Sequence, residues 1–390
     1  MSTADAPALL GELIRRPSVT PDAGAALDLV EGWLAPRGFA CHRLVFEAAA
    51  TPPVDNLFAR LGSGAPHFCF AGHLDVVPPG DVGAWSSPPF AGEIRDGKII
   101  GRGAEDMKGG VAAFLAAVFA LIDAGDDGIP GSLSLLLTGD EEGPAINGTV
   151  KVLGWMAENG HVPDHCLVGE PTGVDTLGDV AKIGRRGSLT GHLAVRGKQG
   201  HVAYPDRADN PIPKAMELMA ALLAPLDRGT GHFEPSNLQI TSVDTGNLAT
   251  NIIPSTVEVR FNCRFNDRWS SASLEAELRR RLTSAAAKTG TSWQLRTQSN
   301  AESFLTATGP FTDMVARSVR EVTGIEPALT TGGGTSDARF ITRHCPVVEF
   351  GLIGRSMHQV DEFTDLADLE NLGRVYQLIL RRYFEMSDRG

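Results

Sequence analysis

Acids and imidazoles gather at the ends of apolar stretches of this chain, and their spacing points to chemistry at a metal. Phe70-Ala-Gly-His-Leu-Asp75 ends an apolar run with His73 and Asp75 two residues apart, on one side of the chain if the extended geometry continues. A metal-bound imidazole usually has its second nitrogen fixed by a carboxylate or carbonyl, so this spacing supplies a ligand and its orienter together. Alone, such a pair is an ordinary strand end. The glycine-rich stretch 101–110 adds Asp106 just ahead of a long apolar segment, and the apolar run 133–137 leads into Asp140, Glu141 and Glu142. Like charges at a buried strand end repel unless a cation neutralises them. Adjacent glutamates can divide the labour, Glu142 ligating while Glu141 takes a proton from metal-held water. Glu170 and His358 follow two further apolar runs. Carboxylates mixed with imidazoles and no thiolate favour zinc, with cobalt and manganese as the other candidates. A central carboxylate such as Asp106, with one imidazole and one acid on each side, would hold two ions about 3.5 to 4 Å apart, the spacing of two-metal hydrolases.

Periodicity gives the elements that must position these groups. Up to about Ile183, apolar runs at 67–70, 133–137 and 166–168 alternate with helical stretches such as 107–122, an α/β pattern. Open sheets of this kind place ligands at the carboxyl ends of their strands. After Gly184 the character changes. A strand over 189–195, a helix over 210–226, strands over 238–243 and 256–265, a helix over 273–288 and a strand over 292–296 give the order β-α-β-β-α-β, the ferredoxin-like unit. The α/β pattern then returns, with a helix at 311–322, a strand at 347–351 and a terminal helix at 366–384. The expected fold is α/β, with a discontinuous catalytic domain over 1–183 and 297–390 carrying an inserted α+β domain over 184–296.

Composition narrows the function classes. A chain of 390 residues, 42% hydrophobic and 21% charged with 44 Gly and 24 Pro, has the balance of a globular protein of at least two domains. Its 35 Lys and Arg against 47 Asp and Glu give a net charge of -12, which leaves no broad positive field for nucleic acid or anionic lipid. An anionic substrate would need a local basic pocket. The longest apolar run, 111–122, is too short to span a bilayer, and the first residues lack the ordered regions of a secretory signal, so a cytoplasmic location is expected. Five scattered cysteines without a C-x-x-C pair argue against a disulfide framework or a thiolate zinc site. A dinucleotide fingerprint would need glycine where Asp106 stands, and no G-x-S-x-G elbow for a serine hydrolase is present.

The ordered set GHLDVVPPG, GRGAEDMKGG, GDEEG, LVGEPT, GRRGS, QGHVAYP and GGGTSDARF resembles the dinuclear zinc aminoacylase/carboxypeptidase family over nearly the whole chain. The resemblance implies two zinc ions per subunit, with cobalt substituting at one site. His73, Asp106 and Glu170 would bind one ion and Asp106, Glu142 and His358 the other, with Asp75 orienting His73 and Glu141 as general base. It also implies a cis peptide at Asp106–Met107, and an insert that serves as dimerisation and lid domain. From that insert His201 would reach across a homodimer interface as oxyanion donor in the neighbouring active site, with Tyr204 nearby. Members of the family share the metal motifs but differ in substrate. Arg185 and Ser188 in GRRGS, Asn251, and Thr335 resemble the branch acting on N-succinyl-LL-2,6-diaminopimelate, a small anionic molecule. Arg185 and Arg264 suit its carboxylates, because guanidinium binds them bidentately. The implied reaction is hydrolysis to succinate and LL-2,6-diaminopimelate, which feed lysine and cell-wall precursor synthesis. The alternative is deacylation of acetylornithine or another N-acyl amino acid.

Overall fold

In the computed structural model, which describes residues 5–124 and 129–387, the strand Ser132–Thr138 is buried at every position. A strand reaches that state only when both faces of its sheet are covered. It belongs to an eight-stranded sheet in the order Ala40–Phe46, Val54–Gly62, Ser132–Thr138, His67–His73, His165–Val168, Val347–Glu349, Val180–Lys182 and Ala328–Thr330. Ser132–Thr138, His67–His73 and His165–Val168 run parallel, with His73 opposite Thr138 and Ala71 opposite Val168. Their carboxyl ends therefore open on one edge of the sheet, and Val347–Glu349 runs parallel beside them.

The helix Lys108–Asp123 is buried from Lys108 through Phe119. It is enclosed by Ala6–Ile14 and Leu366–Ser387, and Phe114 stacks on Phe70 with ring centroids 4.0 Å apart. Lys108 itself points out of the apolar layer and donates to the carbonyls of Leu13 at 3.0 Å and Arg16 at 2.9 Å. These carbonyls lie at and just past the end of Ala6–Ile14, where a cation complements the helix dipole. Burial pushes that amine down to about 7. Gly110 packs so closely that a Cβ there would lie 2.3 Å from the carbonyl oxygen of Gly169. The missing side chain thus lets the first turn of the helix approach the backbone next to Glu170.

Two compact units divide the chain, the first made of Met1–Ile183, Thr306–Thr330 and Ser336–Gly390, the second of Gly184–Leu305 with Thr331–Thr335. The second holds a four-stranded antiparallel sheet in the order Asn237–Asp244, Thr256–Phe265, Gly187–Arg196 and Ser292–Ala301, with helices Pro211–Leu223 and Ser271–Thr289. Chain order is β-α-β-β-α-β. Burial alternates along Thr256–Phe265, so the sheet buries one face. Leu218, Leu222, Leu274, Leu278 and Leu282 share a single core with Val257, Val259 and Phe261. The helices start where Asn210 and Ser270 accept main-chain N–H groups, the usual role of such caps.

Several element ends differ from the sequence reading, most at the last strand of the insert. The last strand does not stop at 296 but runs on to Ala301, and Phe304–Leu305 then pairs with Gly184–Arg185. Thr297-Gln-Ser-Asn is polar because this is an edge strand with an open face, which hides it from a hydrophobic pattern. All five cysteines are free; Cys69, Cys166, Cys263 and Cys345 are buried and Cys41 is partly exposed. Among the described residues no helix is long and apolar enough to cross a membrane.

Candidate metal centre

The first unit brings together every acid and imidazole that the sequence marks as metal-binding. His73 closes its strand, Glu141 and Glu142 follow the neighbouring strand Ser132–Thr138, and Glu170 lies two residues past His165–Val168 on the other side. Asp106 precedes the buried helix across the peptide Asp106–Met107, which is cis. His358 sits on the loop after Val347–Glu349 with a left-handed backbone, φ 63°. Asp106 lies between the two imidazoles: its Oδ1 is 3.1 Å from His73 Nε2 and its Oδ2 is 3.2 Å from His358 Nε2. Glu170 Oε1 is 3.7 Å from His73 Nε2, and Glu142 Oε1 is 2.9 Å from His358 Nε2.

Hydrogen bonding fixes the state of His73. Its Nδ1 lies 2.8 Å from the main-chain carbonyl of Asp75, and a carbonyl only accepts, so Nδ1 carries the proton. The Nε2 lone pair of the neutral ring therefore confronts the oxygens of Asp106 and Glu170. Acceptor against acceptor is repulsive unless a proton or a cation stands between them. Burial alone opposes charge on His73, yet the hydrogen bond its protonated ring donates to Asp106 and the charges of Glu170, Asp106 and Asp75 raise it well above the usual imidazole range. Burial likewise raises the Asp106 carboxyl, but its contacts with His358 and His73 hold it well below the ordinary value. The hydrogen bonds that Asp106 and Glu142 accept from it push His358 up to about 10. Glu141 is raised strongly, first by burial and then by Glu170.

The acids and imidazoles converge on a single point around Asp106. His73, Asp106 and Glu142 offer ligand atoms within 4.8 Å of one another, and so do His73, Glu141 and Glu170. Two imidazoles against the two oxygens of one carboxylate, each flanked by a further acid, is a donor set that fits a carboxylate-bridged pair of divalent cations.

Asp75 meets the His73 ring through its main chain. Its carbonyl, not its carboxylate, makes the bond to His73. Its Oδ1 stands 3.7 Å from Nδ1, and the carboxylate accepts the N–H groups of Glu141 at 3.3 Å and Glu142 at 3.1 Å. The side chain thus fixes the turn that carries both glutamates. Burial pushes Asp75 up to about 6.

The remaining expected residues all belong to the second unit, in two groups. Ser188 pairs with Arg264 across adjacent strands, and buried Arg185 donates to the carbonyl of Gly334 at 3.0 Å, next to Thr335. Burial and the neighbouring Arg186 charge lower the Arg264 guanidinium. In the other group, His201 pairs with Ile252, the carbonyl of Asn251 accepts from Val202 at 3.1 Å, and the rings of His201 and Tyr204 lie 5.7 Å apart. The N–H of Ala203 donates to His201 Nδ1 at 3.0 Å. In the neutral ring that leaves the proton on Nε2.

Sequence reasoning gave no role to three buried groups beside the centre. Asp140, the first acid of its run, turns away from the imidazoles and accepts the N–H groups of Ala145, Ile146 and Asn147 at 3.2, 2.9 and 2.8 Å. An acid ahead of a Gly-Pro turn is a signal for such capping. Arg102 and Glu362 form an internal ion pair at 2.6 Å. An arginine set between two glycines in an acidic segment must find an acid, but nothing local says which one.

Known proteins resemble this chain in sequence and in fold. The succinyl-diaminopimelate desuccinylase of Parvibaculum lavamentivorans is 54% identical over 374 residues, covering 96% of this chain and 94% of its own. That of Rhodospirillum centenum is 55% identical over 379 residues, covering 97% of each. Among solved structures, aminopeptidase PepT of Bacillus cereus superposes with a TM-score of 0.79 at 20% identity, covering 97% of this chain and 98% of its own. The Bacillus subtilis YxeP protein, described as a dinuclear metal-binding peptidase, gives 0.71 at 16% identity over 97% of each chain. The profile of peptidase family M20/M25/M40 matches residues 69–382, a span that runs from the His73 strand past His358 into the terminal helix. With that profile matched over most of its length and relatives 54–55% identical over nearly all of it, the chain belongs to peptidase family M20/M25/M40.

Proposed function

We propose that the chain hydrolyses N-succinyl-LL-2,6-diaminopimelate to succinate and LL-2,6-diaminopimelate as a cytoplasmic, dizinc homodimer. One ion would be held by His73, Asp106 and Glu170, the other by Asp106, Glu142 and His358, with cobalt able to replace zinc at one site. The observation that carries this reading is the complete acid and imidazole set around Asp106, in a chain 54% identical to a relative named for that reaction.

When bound, such ions supply Lewis acidity that polarises the scissile carbonyl and lowers the pKa of the attacking water. The side chains do the rest. The Asp75 carbonyl keeps the Nε2 lone pair of His73 turned towards Asp106 and Glu170. The Asp75 carboxylate holds the turn from which Glu141 projects. A Glu141 oxygen takes the proton of the attacking water and returns it to the departing amine nitrogen. His201 of the partner subunit donates from Nε2 to the tetrahedral oxyanion. Arg185 and Arg264 take substrate carboxylates, and Ser188, Tyr204, Asn251 and Thr335 supply further hydrogen bonds.

Assaying the zinc-loaded protein side by side on N-succinyl-LL-2,6-diaminopimelate and N-acetylornithine tests the assignment. We expect kcat/KM to favour the succinyl substrate by about 10²-fold or more, because a site built for extra charged groups rejects an analogue that lacks them. The opposite preference would move the assignment to acetylornithine deacylation. Sharing of residues between subunits has its own test. His201→Ala and Glu141→Ala proteins, each inactive, should regain about a quarter of wild-type turnover when their subunits are exchanged, since half the dimers are mixed and each holds one intact site. A dead mixture would remove His201 from the neighbouring site.

A further inference from the structure

Two loops face each other across the centre, 101–106 bearing Asp106 and 354–362 bearing His358, and a buried ion pair stitches them together. The side chains of Arg102 and Glu362 are 3% and 0% exposed and meet at 2.6 Å. The other oxygen of Glu362 accepts the main-chain N–H of Glu105 at 2.9 Å and of Asp106 at 3.2 Å, so it grips the backbone of the bridging acid itself. The Arg102 nitrogen that meets Glu362 also donates to the carbonyl of Gln359 at 3.1 Å, the residue after His358. From the opposite direction Glu105 accepts the N–H of Ser356 at 2.7 Å, two residues before His358, and the N–H of Gly101 donates to the Glu362 carbonyl at 2.8 Å.

Within the second loop His358 and Asp361 both have left-handed backbones, φ 63° and 57°. Non-glycine residues keep that conformation when their surroundings over-determine it. A buried ion pair is in general weak evidence for stability, and its best-attested use is to fix geometry. Here the bonds to Glu105, Asp106 and Gln359 end on residues next to, or identical with, Asp106 and His358, while a second Arg102 nitrogen donates to the carbonyl of Pro78 at 3.4 Å.

We propose that Arg102 and Glu362 are positioning residues that set the separation of Asp106 from His358, and through it the affinity of the centre for the ion those two share. The inference rests on the two-metal reading above. Glu362→Gln tests it at nearly constant volume. A carboxamide has one oxygen, so its NH2 group must face either the Arg102 guanidinium or the N–H groups of Glu105 and Asp106, and one side of the stitch opens whichever way it turns.

Zinc titration against a competing chelator should find two ions in the wild type. In Glu362→Gln one of them should bind about 10–100-fold more weakly, the range for outer groups that orient metal ligands. The far-UV circular dichroism should be unchanged, the cobalt(II) absorption of the weakened site should shift, and at limiting zinc kcat should fall more than KM rises. A folded Glu362→Gln protein that binds both ions with wild-type affinity overturns the proposal. A wild type that binds no divalent ion overturns the metal reading instead. Hydrogen exchange in the unaltered protein gives a measurement that does not depend on the variant folding. Zinc should slow exchange at the amides of Glu105, Asp106 and Ser356 together, and exchange there that ignores zinc, in a protein that binds it, again overturns the assignment.

Discussion

Glu141→Gln is expected to lower kcat by about 10²–10⁴-fold, the usual worth of a positioned acid-base group, while both zinc ions stay bound. Glu141 hangs from the same turn as Glu142, its N–H held by the Asp75 carboxylate at 3.3 Å, yet the atoms within reach of His358 Nε2 belong to Glu142 and Asp106. Removing its charge relieves repulsion from Glu170, so the amide should fold at least as well as the acid. It cannot carry a proton from water to a leaving amine. Metal analysis beside steady-state kinetics checks both halves of the expectation. Wild-type turnover in Glu141→Gln would remove Glu141 as the base, and loss of zinc would make it a ligand.

Asp106→Asn should act on the metal itself. The carboxylate faces one imidazole with each oxygen, and an amide of the same shape offers one oxygen and one NH2 group. One imidazole therefore loses its acidic neighbour, and the centre loses the charge at its middle. We expect zinc affinity to fall by more than the ~10–100-fold typical of outer-shell changes, with activity lost in parallel and not recovered at micromolar zinc. Chelator competition measures the first and kinetics at graded zinc the second. Two tightly bound ions in Asp106→Asn would show that this carboxylate is not the bridge.

The strand-end acids were legible because charge ending an apolar run is costly unless something uses it, as at His73, Glu142 and Glu170. The order of the inserted unit was legible because side-chain periodicity switches between two and 3.6 residues at each of its elements. The rest is tertiary. That Glu362 would find Arg102, or that the Asp75 carbonyl would hold His73 while its carboxylate turned to a glutamate turn, depends on where loops meet after folding. Edge strands such as Ser292–Ala301 lose their signal in the same way, since an open face has no need of apolar residues.

Four thiols lie sealed in the interior, and Cys41, on the edge strand Ala40–Phe46 of the larger sheet, is the one partly open. Alkylation of the native chain therefore reports a single position, and every further label marks a fold that has opened. Cys263 speaks for the insert, while Cys69, Cys166 and Cys345 speak for the host. The protein thus carries its own two-channel clock of local unfolding, read by mass spectrometry without adding a probe to its sequence.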